Sequence, residues 1–120
     1  MANPNIAALA SVYGKSVGVA VGATATDLFA AVATGSLAKV NSLIISNVDG
    51  ANAASVDVIL VKSGGSSFNL TKNIDVPAET TLVVVSKDTQ LYLEEGDKIT
   101  VTASTAGDLQ AICSYEVISE

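Results

Sequence analysis

Through most of this chain apolar side chains recur at every second position, a period that belongs to strands and not to helices. Val17, Val19 and Val21 alternate with small residues. Phe68, Leu70 and Ile74 alternate with Asn69, Thr71 and Asn73, which predicts one buried face and one wet face. Ile99, Val101 and Ala103 repeat the pattern against Lys98, Thr100 and Thr102, and Leu109, Ala111, Cys113, Tyr115 and Val117 carry it to the C-terminus. In residues 55–62 Val56, Val58 and Leu60 fall on one side while Ile59 and Val61 fall on the other, so both faces of that strand are expected to be covered. No helical period persists for three turns beyond residue 35.

Turn residues punctuate these runs where strands must reverse. Asp49-Gly50, Ser63-Gly64-Gly65-Ser66, Pro77, Glu94-Glu95-Gly96-Asp97 and Ala106-Gly107-Asp108 separate the alternating segments. Gly96 is suited to positive φ, and Asp97 to accepting backbone hydrogen bonds before the next strand. The spacing predicts about eight strands, near residues 16–22, 26–33, 39–47, 55–62, 67–74, 81–86, 90–93 with 98–103, and 109–118. The expected fold is therefore all-β, an antiparallel β-sandwich of about 7–8 strands, jelly-roll-like or immunoglobulin-like. Residues 81–86 carry no charge, so as an open edge they would invite pairing; they are expected to be central or to lie at a subunit contact.

Residues 1–15 read differently. Asn3 and Pro4 suit a helix start and Gly14 a helix end, with Ile6, Leu9, Ala10 and Tyr13 as a stripe. An extended arm lying on a neighbouring subunit is the alternative. The expected organisation is an N-terminal arm (1–15) followed by one sandwich domain (16–120), since 120 residues suffice for a single core. Ile6, Leu9, Val12 and Tyr13 are the candidate protein-interface residues.

Composition removes most chemistry. Lys+Arg total 6, all of them Lys, against 12 acids, for a formal charge of −6 and a pI near 4.3. Such a balance, without a guanidinium, argues against a nucleic-acid partner, which requires a basic stripe. With no His there is no Ser-His-Asp or Cys-His nucleophile and no His-based metal site. Carboxylates near turns offer two Ca²⁺ readings, Asn47 with Asp49 and Asn52, or Glu94 with Glu95 and Asp97. Local turn chemistry explains the same residues, and no catalytic, metal or cofactor site is expected. The lone Cys113 shares a face with apolar neighbours and is expected to be buried and inert. Of the aromatics, Tyr13 and Tyr92 would have to serve any glycan-stacking role, while Tyr115 points inward. The start of the chain lacks the basic n-region of a secretory signal. Gly18, Gly22, Thr24, Thr26 and Asp27 interrupt the most apolar stretch (17–33), so no membrane partner is expected. Apolar residues nevertheless make up 49% and charged ones 15% of the chain, below the roughly 25% charged of ordinary soluble domains. A surface so poor in charge is expected to be covered by more protein.

Four stretches carry a likeness to known proteins: Met1-Ala2-Asn3-Pro4-Asn5-Ile6 with Tyr13-Gly14-Lys15, Asn41-Ser42-Leu43-Ile44-Ile45-Ser46-Asn47-Val48-Asp49-Gly50, Leu91-Tyr92-Leu93-Glu94-Glu95-Gly96-Asp97, and Ser114-Tyr115-Glu116-Val117-Ile118-Ser119. In these the chain resembles small virion structural proteins of tailed phages, especially cyanophages and related marine phages. The resemblance implies a non-enzymatic, multi-copy virion component assembled in the host cytoplasm, and supplies no binding residues. The expected function is a capsid decoration (cement) protein, a homo-oligomer whose partner is the major capsid protein or another virion protein. A neck, tail or fibre-docking component is the alternative, with a receptor- or glycan-binding module behind it.

Overall fold

The computed structural model describes residues 5–8 and 11–120. One 3-10 turn, Ile6–Ala8, precedes nine strands among the described residues: β1 (Ser11–Ala20), β2 (Thr26–Asp27), β3 (Ser36–Asn47), β4 (Ala54–Val61), β5 (Ser67–Val76), β6 (Thr81–Val85), β7 (Leu91–Leu93), β8 (Lys98–Ala103) and β9 (Leu109–Ser119). They form two antiparallel sheets. Sheet A has the order β1-β9-β3-β6, with β7 also paired to β3, and sheet B the order β2-β8-β4-β5. The first half of the chain thus pairs with the second half in reverse: β1 with β9, β2 with β8, β3 with β6 and β7, β4 with β5. That is a long antiparallel ribbon rolled over itself, the jelly roll, and it selects between the two sandwich topologies open from sequence.

Alternation fills the space between the sheets. Val40, Leu43 and Ile45 of β3, with Leu109, Ala111, Cys113 and Tyr115 of β9, meet Val56 and Val58 of β4 and Ile99 and Val101 of β8. Phe29 stacks on Tyr115 with ring centroids 4.3 Å apart and closes one end of this core.

Four differences from the sequence-based expectation have physical causes. Residues 11–15, expected in the arm, are strand: β1 pairs with β9 from Ser11↔Ser119 onward, and among the described residues before it helix is the single turn Ile6–Ala8. Residues 28–33, expected as strand, instead plug the sandwich end. Leu28 and Val32 are buried there, and their amides donate to Ile99 O (3.1 Å) and Asp97 O (3.0 Å). Residues 90–93 and 98–103, expected as one interrupted strand, belong to opposite sheets, because the Glu94-to-Asp97 turn carries the chain across the sandwich. Finally, of the two places expected for residues 81–86, the central one is overturned: β6 pairs with β3 alone and lies at an edge. It is five residues long with a register shift beside Ile44, and short bulged strands are a known way of blunting an edge.

Candidate interaction surface

The residues expected to bind a partner do not converge on one spot. Ile6 lies exposed in the 3-10 turn, and Leu9 is outside the described residues. Val12 and Tyr13 are both exposed, Tyr13 by 61%. As successive strand residues they point to opposite faces of sheet A. Val12 pairs with Ile118, and Tyr13 with Val117.

Sequence reasoning missed two further apolar surfaces. Phe68, Leu70 and Ile74 of β5, expected to be buried, are exposed, Phe68 by 59%. β5 is the edge of sheet B and carries two register shifts opposite β4. At the bulge Asn73 takes a positive φ of 49°, and its amide is held by the Asp57 carboxylate at 2.6 Å. A bulge re-aims the side chains beyond it, so strict alternation no longer reports burial. The signal available in sequence was the density of Asn and Ser around these three residues.

The second surface is the outer face of sheet A. Register places Gly18, Ile112, Ile44 and Val83 in one row across β1, β9, β3 and β6. A parallel row holds Gly14, Glu116, Lys39 and Tyr92, the last on β7. Val83, Tyr92 and Ile112 are exposed. Between the rows lie Ser16, Ser114 and Ser42. Alternation along each strand was legible, but which strands lie side by side was not, so the rows could not be assembled from sequence.

The carboxylates considered as calcium ligands are engaged by the chain itself. Asp97, 1% exposed, accepts from Ser63 N (3.1 Å), Glu94 N (2.9 Å) and Lys62 Nζ (2.6 Å). Burial raises its pKa, but the Lys62 ammonium and the two amides outweigh burial and hold it below the ordinary carboxylate value. Lys62 is raised in turn, chiefly by its hydrogen bond to Asp97. Asp49 is lowered by the amides of Asn52 and Ala51. Asn47 is buried, donating to Val76 O (2.8 Å) and Asn52 O (3.0 Å) and accepting from Asp49 N (2.9 Å). Glu95, expected in a solvated turn, is buried and accepts from Gly35 N at 3.0 Å. Among the described residues no group of three or more His, Cys, Asp or Glu is placed to hold a metal. Burial pushes the Cys113 thiol up to about 11, so it is protonated and unreactive at neutral pH. The cavity at the Phe29–Tyr115 end measures about 190 Å³, smaller than the roughly 300–1,000 Å³ of small-molecule sites.

No protein-family model matches this sequence, and neither does any curated protein. Solved structures share its fold. A subunit of Bacillus endospore appendages, which form disulfide-linked pili, is 14% identical with a TM-score of 0.54, the match covering 91% of this chain and 88% of that one. A chain of the acid-stable capsid of Helicobacter pylori bacteriophage KHP30 is 11% identical with a TM-score of 0.52, covering 92% and 90%. Both matches span nearly the whole of each chain, and at these identities what is shared is the fold: a small jelly roll that in each of those proteins belongs to a larger assembly.

Proposed function

We propose that this protein is a non-enzymatic structural component of a tailed-phage virion, and that it decorates the head as a cement protein bound to the shell of major capsid protein. One observation carries this reading. Exposed apolar side chains are spread over separate surfaces, at the N-terminal end of β1, on the outer face of sheet A and along β5, and they do not gather around the Phe29–Tyr115 cavity. Such a distribution suits a lattice component, which must hold several neighbours at once. Many weak contacts repeated over a shell add up to firm attachment through effective concentration. Support comes also from the phage-capsid neighbour of similar length and from the resemblance in the four sequence stretches. The disulfide linkage of the pilus neighbour has no counterpart here, because the chain has one cysteine and it is buried.

Immunogold labelling of intact virions with an antibody to this chain tests the proposal. Gold distributed over the head is the expected result; gold confined to neck or tail overturns the decoration assignment in favour of a tail role. Ile6 and Tyr13 are assigned to the shell contact. An Ile6→Asp/Tyr13→Ser variant is expected to keep its melting temperature and to lose binding to undecorated shells.

A further inference from the structure

The outer face of sheet A is complementary to itself, and we infer that a second copy of this chain docks there, face to face, about a two-fold axis running parallel to the strands over the β3–β9 boundary. Such an axis exchanges β9 with β3 and β1 with the edge formed by β6 and β7, while keeping each row at its own height. The row Gly18, Ile112, Ile44, Val83 then meets itself reversed. Ile112 faces the second copy's Ile44, and Val83 faces its Gly18. The row Gly14, Glu116, Lys39, Tyr92 behaves in the same way: Glu116 faces Lys39 and Tyr92 faces Gly14. Each large side chain at one edge is matched by a glycine at the other, and each charge by its opposite.

Three observations favour a copy of this chain as the occupant. Glu116 and Lys39 are the sole charges in these rows, on a chain whose net charge is −6. They sit opposite each other in the register, yet among the described residues neither belongs to an ion pair. Interior strand glycines weaken a strand and often mark a close approach by another molecule. A depression of about 350 Å³ lies at Gly18, bordered by Ile112 and Gln110, and one of about 360 Å³ lies at Gly14, bordered by Ser114 and Glu116. A Cβ added at either glycine meets nothing within 4 Å, so packing within the chain does not require glycine there. Face-to-face sheets pack about 10 Å apart and roughly 30° from parallel, which keeps the rows aligned close to the axis.

The patch is four strands wide at about 4.8 Å each, a few hundred Å² per copy. That is below the roughly 800 Å² per partner of a standard interface, so the dimer is weak, and it does not rest on the shell-binding assignment. Sedimentation equilibrium on the full chain, from about 10 μM to about 1 mM, tests it directly. The expected result is a monomer–dimer equilibrium between 12.1 kDa and twice that mass. Gly18→Val, a better strand residue, is expected to keep the fold and fill the hollow that receives Val83, raising Kd at least about tenfold. Lys39→Glu and Glu116→Lys each place like charges across the axis and are expected to be monomeric alone. Mixed in equal amounts they restore both opposite-charge pairs and form a heterodimer, a result that no role within one chain produces. A wild-type monomer throughout the range, a dimer indifferent to Gly18→Val, or a mixture no more associated than its components overturns the inference.

Discussion

At Gly96 two requirements meet. Its φ is +81°, and a Cβ there would lie 2.6 Å from the Ser63 Cβ, in the hairpin between β4 and β5. Gly96→Ala is therefore expected to cost about 2–4 kcal/mol, combining left-handed strain with a backbone that must shift. Urea denaturation of the variant checks this. The neighbouring Asp97 ties that same hairpin to the crossing turn. Its pKa is lower in the folded than in the unfolded chain, so its contribution is present above the ordinary carboxylate value, near pH ~4, and is lost as pH falls through the depressed folded value. Lys62 is shifted upward, so its share is complete below the ordinary ammonium value and disappears only as pH rises past the raised one. Asp97→Ala is expected to cost about 2–3 kcal/mol at pH 7, less than a fully buried pair would because a third of the Lys62 side chain remains in water. The difference between wild type and variant should shrink as pH is lowered below ~4, as read by thermal melts across pH.

Elements obey alternation until a bulge or an edge intervenes. In β8 the residues expected inside are inside, and so are Val56 and Val58 of β4 and Leu109 to Tyr115 of the β9 alternation, with Leu60 and Val117 half-buried, because each of these strands has a neighbour on both sides and a sheet opposite. β5 departs from the rule: as a bulged edge strand it leaves Phe68, Leu70 and Ile74 open to solvent. Phe68→Ser is accordingly expected to change stability by no more than about 0.5 kcal/mol. Leu43→Ala, in the core, is expected to cost about 2–5 kcal/mol. Comparing the two denaturation midpoints separates the observed arrangement from the one alternation alone predicts. Turn chemistry was legible at Gly96 and Asp97, where residue type and position agree with the observed geometry. The crossing between sheets at that same turn was not, since residue type reports a reversal but not the sheet to which the next strand returns.

For the whole molecule, the buried position of Cys113 leaves no accessible thiol for covalent links between copies. Cys113 faces the core with its thiol protonated, so a thiol reagent is expected to modify it only after denaturation. Non-reducing electrophoresis of oxidised native protein should show no dimer band. The surface matches the composition: on the outer face of sheet A the row through Gly18, Ile112 and Ile44 and the row of Ser16, Ser114 and Ser42 carry no charge. The proposed place on a phage head and the proposed two-fold pair each have their own readout.

What the sequence determined by itself was most of the strands and most of the turns. These depend on local properties: a two-residue side-chain period and backbone freedom at Gly. Only the tertiary structure decided the jelly-roll order, the edge position of β6, the exposure of β5 and the two opposed rows on sheet A. Pairings such as β1 with β9 join residues from the two ends of the chain. No local pattern encodes such partners, because every alternating strand offers the same backbone donors and acceptors to any other.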